Sequence, residues 1–124
     1  MPINVFVADD SESIRNAIRL VVKSQAEIRI IGEATNFVET IEKVNQQRPD
    51  VIVLDLSMPF RYDQPTGFKE YLCGAKVLAI TFGKDEVAEA LAEHIGADKL
   101  IDKSDLTSEL IPMILQLAQL GASC

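Results

Sequence analysis

Two adjacent carboxylates, Asp9 and Asp10, stand directly after the apolar run Ile3 to Ala8, and a third, Asp55, follows the run Val51 to Leu54. Thr81 closes a similar run and Lys103 follows a shorter one. Carboxylates gathered at short range repel one another, so convergence of the three makes chemical sense if a divalent cation lies between them. An all-oxygen donor set points to Mg2+, a hard cation commonly held by carboxylates together with a substrate phosphate. A carboxylate beside such an ion can act as an aspartyl nucleophile toward a phosphoryl group, the role that falls to Asp55. Transfer then rests on positioning and on neutralising the phosphoryl oxygens, tasks suited to the Lys103 ammonium and the Thr81 hydroxyl.

These residues can meet only if the elements before them are strands of one sheet. Continuous β-branched and apolar runs at Ile3 to Ala8, Ile28 to Gly32, Val51 to Leu54, Val77 to Thr81 and Leu100 to Ile101 suit strands covered on both faces. Helical spacing fills the intervals. Ile14, Ala17, Ile18, Val21 and Val22 form one stripe, and Phe37, Ile41 and Val44 a second. A short helix is expected around Phe68 to Cys73, another from about Asp85 to Ile95 before Gly96, and a last one ending near Leu120 and Gly121. Strand and helix in alternation predict a doubly wound α/β fold of five parallel strands, with the chain 1–124 as a single domain. Ligands of such folds bind outside the carboxyl ends of the strands, where the five polar residues stand.

Composition narrows the function. A length of 124 residues, 48% hydrophobic and 25% charged, fits one soluble globular core. A net charge of -7 without a Lys/Arg cluster argues against direct nucleic-acid binding. Cys73 and Cys124 lack metal-ligand spacing and read as reduced thiols. No apolar run is long enough to span a bilayer, and MPINVFVADD has neither a basic leader region nor a cleavage site, so the cytoplasm is the expected compartment.

Each candidate has a plainer reading. Asp10 and Ser11 could cap the first helix, Asp55 could be a loop acid, Thr81 a strand residue and Lys103 a solvated charge. Taken jointly, five suitable groups at four strand ends make the plain reading the weaker one. A phosphatase of the haloacid dehalogenase type would need an acid two residues after the nucleophile, where Ser57 stands. A flavin carrier would need a phosphate loop after the first strand, where Asp9 and Asp10 would repel the flavin phosphate.

Over nearly its whole length the chain resembles the receiver domain of bacterial two-component response regulators. The likeness rests on the Asp9-Asp10 pair, D-L-S-M-P at Asp55 to Pro59, Thr81, and G-A-D-K-L-I-D-K at Gly96 to Lys103. The segments VADDSESIR, IIGEATN and RPDVIVLDLSMP look most like receivers that carry a C-terminal helix-turn-helix and regulate transcription. The resemblance implies the flavodoxin-like strand order 2-1-3-4-5 and a phosphorylation-dependent switch, not a turnover enzyme, with Asp55 as phosphoacceptor. It implies Mg2+ contacts from Asp10, Asp55 and the Ser57 backbone carbonyl, with Asp9 acting through water. Thr81 would bond the phosphoryl oxygen and draw its loop inward, Lys103 would pair with the phosphoryl group, and a sensor histidine kinase would be the donor. His94 lacks the context of a phosphohistidine and reads as a surface or packing residue.

Four departures from the family pattern stand out. Leu100 replaces the usual aromatic switch residue, so output would run through backbone shifts at Gly83 to Asp85 and apolar repacking; a receiver-like module without phosphorylation is the alternative. Ser104 replaces a proline, which makes a cis bond there costly. The loop from Asp55 to Gly67 is long, with Phe60, Arg61 and Tyr62 as a possible lid or partner surface. Phe82 fills a generally small position, where it would crowd access to Asp55 and slow phosphoryl exchange with solvent, or else point elsewhere.

In the last helix, Leu110, Ile114, Leu117 and Gly121 make one stripe, but Ile111, Met113, Leu115, Ala118 and Leu120 widen it beyond what a single sheet face needs. The surplus predicts a partner surface, for a homodimer or an effector domain, with deep burial of the helix in a broad groove as the alternative. Pro112 would kink the helix interior and be harmless in its first turn.

Overall fold

In the structure, a computed structural model, residues 2–58, 71–72 and 74–120 are described. Five strands, β1 (Ile3–Ala8), β2 (Ile28–Ala34), β3 (Val51–Asp55), β4 (Lys76–Thr81) and β5 (Lys99–Asp102), form one sheet in the order β2-β1-β3-β4-β5. All four pairings are parallel. The described helices are α1 (Glu12–Val22), α2 (Phe37–Gln47), α3 (Glu86–Ile95) and α4 (Leu106–Gln119), with a short 3-10 helix at Lys103–Asp105. The expected strand order and doubly wound architecture are both present.

The period of two along each strand sorts side chains between the two sheet faces. Phe6, Ala8, Ile52, Leu54, Val77 and Ala79 face a core completed by Phe37 and Val44 of α2 and Ala88, Ala92 and Ile95 of α3. Val5, Val7, Val51, Val53, Leu78 and Ile80 face the other, completed by Ile18 and Val22 of α1 and Leu110, Ile114 and Leu117 of α4. Because both faces are covered, the strands read as unbroken apolar runs.

Side-chain caps start the helices where the strands end. Ser11 Oγ accepts from Ile14 N at 3.3 Å, Asn36 Oδ1 from Glu39 N at 2.8 Å, and Asp85 Oδ1 from Ala88 N at 2.9 Å. Capping of α1 thus falls to Ser11 and leaves Asp10 out of that task. Gly96, at φ 83°, closes α3 by donating its N–H to Ala92 and Glu93, a left-handed conformation that glycine adopts without strain.

Two sequence expectations change here. Pro112 lies inside α4, yet the helix runs on to Gln119; Pro112 and Ser108, whose carbonyl would have received the missing N–H, are both exposed, so water can serve it. The apolar surplus of α4 is largely used within the fold. α4 packs against α1 as well as the sheet, and Ile111, Met113, Leu115 and Ala118 are half-buried against that core. Leu120 is the large apolar side chain left exposed there among the described residues.

The short helix expected around Phe68 to Cys73 falls mostly outside the described residues; Tyr71 and Leu72 form a 3-10 turn. Phe60, Arg61, Tyr62, Cys73, Gly121 and Cys124 also lie outside them. No described helix is long and apolar enough to cross a membrane.

Candidate functional site

Strand order reverses between β1 and β3, and such a switch point opens a crevice at the carboxyl edge. Asp9 directly follows β1 and Asp55 is the last residue of β3, so the two carboxylates flank that crevice. Both are fully buried, whereas Asp10 is exposed beside them. Lys103, set immediately after β5, reaches across with its side chain buried and its Nζ 2.9 Å from Asp9 Oδ2 and 3.1 Å from Asp55 Oδ1. One ammonium thus bridges two buried carboxylates, leaving that group one negative charge in excess.

The remaining contacts are uneven. Asp55 Oδ1 accepts from the Ser57 amide at 2.9 Å and the Ser57 hydroxyl at 2.7 Å, and that hydroxyl also lies 2.9 Å from Asp55 Oδ2. Asp9 Oδ1 accepts from Ser11 N at 2.8 Å. Asp9 Oδ2 has the Lys103 ion pair, but no hydrogen bond of good geometry satisfies it. Burial pushes the Asp9 pKa above the usual carboxylate value, and the Asp55 charge adds to this; the Ser11 amide and Lys103 act in the opposite sense without cancelling it.

These features fit a hard cation. One carboxylate oxygen from each of Asp9, Asp10 and Asp55 can be chosen so that all three lie within 4.8 Å of one another, and a buried Asp9 oxygen lacks a directed donor. Two of the three carboxylates are buried and the exposed third leaves a side open for water and phosphate oxygens.

The other predicted residues gather at the same edge. Thr81, the last residue of β4, is buried, and its hydroxyl donates to the Phe82 carbonyl at 3.4 Å, a long and weak bond. Phe82 is 67% exposed, and its ring centroid lies 4.9 Å from Lys103 Nζ. The ring therefore stands over the bridging ammonium in a cation-π contact, next to the site and not turned away from it. Leu56, Ser57, Thr81 and Phe82 also line a cavity of ≈ 360 Å3 that continues along α3 past Val87 and Leu91. Leu100 is separate: half-buried, it packs on the α2 and α3 side of the sheet. No cis peptide occurs among the described residues, in keeping with Ser104. His94 is exposed on α3.

Two contributors escaped the sequence reading. Arg15 of α1 donates from Nη1 to the Asp9 carbonyl at 2.7 Å and from Nε to Glu33 Oε1 at 3.0 Å, tying the acidic turn to β2. Its signal was a cation one residue from Ile14 and three from Ile18, on the half-buried side of an apolar stripe. Asp102 ends β5 and holds backbone amides of two loops. Both act on main-chain atoms, for which residue type gives little warning.

The family description "response regulator receiver domain" matches residues 5–115. The chain belongs to that family. Receiver domains are phosphorylation-dependent switches of two-component signalling, and this receiver has relatives in several settings. It is 36% identical over 105 residues to protein-glutamate methylesterase/protein-glutamine glutaminase 1 of Methanosarcina acetivorans, 80% of this chain but 29% of that protein. It is 34% identical over 101 residues to the chemotaxis protein CheY of Halobacterium salinarum, 80% of this chain and 82% of that one. The signal receiver domain of the putative response regulator NarL from Mycobacterium tuberculosis superposes with a TM-score of 0.82 over 95% of this chain and 97% of that chain, at 22% identity, a likeness of fold. The chain spans less than a third of the length of the methylesterases it first matches.

Proposed function

We propose that Asp55 is the phosphoacceptor of a receiver domain occupying the whole chain 1–124, and that its donor is a phosphohistidine of a sensor kinase in the cytoplasm. The observation that supports this most is the Lys103 ammonium lying between Asp9 and Asp55, within 3.1 Å of both. A buried cation at that place already occupies the position where phosphoryl oxygens bound to Asp55 would need charge compensation.

In the transfer, an Asp55 carboxylate oxygen forms a bond to phosphorus while the phosphorus–nitrogen bond of the phosphohistidine breaks, its electron pair leaving with the imidazole. The product is an acyl phosphate. Oδ2 is the better candidate for attack, because Oδ1 holds the Ser57 amide and Lys103 while Oδ2 is met by the rotatable Ser57 hydroxyl. Asp9, Asp10 and Asp55, with the Ser57 backbone carbonyl suggested by family likeness, would hold Mg2+. Bound there, Mg2+ supplies charge neutralisation for the phosphoryl oxygens. Lys103 pairs with one of these oxygens and the Thr81 hydroxyl turns from the Phe82 carbonyl to donate to another.

Asp55 is fully buried, and the Phe82 ring stands over the Lys103 ammonium that pairs with it. Phe82 therefore slows exchange with solvent, and a Phe82→Ala variant should lose its phosphoryl group at a different rate from the parent; equal decay removes that role. Output would reach an effector domain or a second copy through the carboxyl-edge loops.

The test is incubation of the folded protein with Mg2+ and acetyl phosphate, read by intact mass. A single phosphoryl adduct that depends on Mg2+ and disappears in Asp55→Asn is expected. No adduct on the parent protein, or an undiminished one on the variant, overturns the proposal.

A further inference from the structure

The Thr81 hydroxyl is turned to the Phe82 carbonyl, so it must reorient to reach a group on Asp55. What restrains that movement is visible one loop away. Thr81 and Asp102 are register partners at the ends of β4 and β5. The Asp102 carboxylate accepts from the Lys84 amide through Oδ2 at 3.2 Å, with the Gly83 amide also against it. Through Oδ1 it accepts from the Ser104 amide at 3.0 Å and the Ser104 hydroxyl at 2.9 Å.

One carboxylate therefore holds the loop that follows Thr81 and the turn that contains Lys103. An Asp that only capped the 3-10 helix would use the Ser104 bonds alone; the amides of Gly83 and Lys84 belong to the neighbouring loop. Gly83 has φ 76° and open space where a side chain would stand, so the stapled loop is also the one with room to move.

Taking the switch reading above as its basis, we infer that Asp102 is a positioning residue, a polar staple that holds the Thr81 loop against β5 in the resting state and couples its release to the Lys103 turn. Movement of Thr81 toward Asp55 draws Gly83 and Lys84 away from β5 and breaks the Lys84 bond to Asp102. The staple thus opposes the phosphorylated conformation, and its release is the local event that accompanies phosphorylation. Leu100, two residues earlier on the same strand, packs into the core of the α2 and α3 face and has no polar group with which to take that part.

Removing the staple should move the equilibrium toward the shifted loop, because a ligand that selects one state binds more tightly when that state costs less to reach. Binding of beryllofluoride in the presence of Mg2+, followed by NMR titration of the full chain, measures this. Asp102→Ala should bind about three- to tenfold more tightly than the parent, the factor expected from the net contribution of a hydrogen bond. Asp102→Asn, which keeps the shape and loses the charge, should fall between and serves if the alanine variant does not fold. Ser104→Ala loses only the hydroxyl bond within the Lys103 turn and should match the parent. Hydrogen exchange of the Lys84 amide in the resting protein should quicken in the Asp102 variants and not in Ser104→Ala.

Unchanged or weaker binding by the Asp102 variants overturns the staple, as does unchanged Lys84 exchange. A parent protein that fails to bind beryllofluoride overturns the switch reading and takes the staple with it; a parent that binds while its variants bind equally overturns the staple alone.

Discussion

At the amino edge of the sheet two aspartates occupy positions that mirror those at the carboxyl edge, and they meet the opposite treatment. Asp50, just before β3, accepts from Asn4 N through Oδ2 at 2.8 Å, while its own carbonyl accepts from Lys76 N at 3.0 Å. Asp98, just before β5, accepts from Val77 N at 2.8 Å and donates its amide to Val77 O at 2.8 Å. There a carboxylate joins neighbouring strands by satisfying an N–H at the start of the ladder. At the carboxyl edge Asp9 and Asp55 converge across the crevice, share one ammonium and leave Asp9 Oδ2 without a directed donor. The two carboxylates at the amino edge are structural bonds already made, whereas at the carboxyl edge one buried Asp9 oxygen is left with the ammonium alone. A buried polar atom left so costs stability, and the cost falls where a cation and a phosphoryl group would bind.

The largest break in this contrast should come from Lys103→Met. Removing the buried cation leaves Asp9 and Asp55 facing each other, and should cost about 3 kcal/mol in chemical denaturation without divalent ions, with part recovered on adding Mg2+. Asp98→Ala tests the other edge. It leaves the buried Val77 amide without that acceptor and should cost about 1–2 kcal/mol, with phosphoryl uptake from acetyl phosphate unchanged.

Asp9→Asn sharpens the comparison by separating stability from function. Its raised pKa means that the folded chain holds a proton at Asp9 more tightly than the unfolded chain, so the ionised group lowers stability at neutral pH and regains it as pH falls through the folded value. The neutral amide should therefore raise the denaturation midpoint without Mg2+ while weakening Mg2+ affinity by at least about tenfold, the lower end of what even an outer-shell partner costs. A lower midpoint would show that Lys103 needs the Asp9 charge more than Asp55 is troubled by it.

The smallest effect belongs to Glu39, a carboxylate at the carboxyl edge that behaves as a cap. Its Oε1 accepts from Thr35 N at 2.7 Å, the main reason its pKa lies below the ordinary 4.5, with Lys43 adding to this. Its stabilisation is present above that ordinary value and lost as pH falls through the lower, folded one. Glu39→Gln should cost a few tenths of a kcal/mol at pH 7, and the difference in Tm from the parent should shrink in acid. The edge alone, then, does not decide a carboxylate's role; what faces it does.

Much of this was legible in the residues. β1, β3 and β4 announce themselves as apolar runs because helices cover both faces, and the site residues stand out as polar groups directly after such runs. β5 is harder to see, since its four residues begin and end with a charge, and β2 runs past Gly32 through the polar Glu33 because it is an edge strand. The breadth of apolar residues on α4 left burial and a partner surface both open, because a single helix pattern does not disclose that α1 lies alongside it. Arg15 and Asp102 were invisible as functional groups because the contacts that tie them to the site, to the Asp9 carbonyl and to the Lys84 amide, are with backbone atoms placed only by the fold.

The central claim, that Asp55 alone among the carboxyl-edge acids takes a covalent phosphoryl group, is tested most directly by locating that group. The protein treated with Mg2+ and acetyl phosphate is reduced with borohydride, which converts an aspartyl phosphate to homoserine, and its peptides are mapped by mass. Homoserine at position 55 and nowhere else is the result expected. Conversion at Asp9 or Asp10, or an unmodified Asp55 peptide from a protein that carries the adduct, would contradict the account.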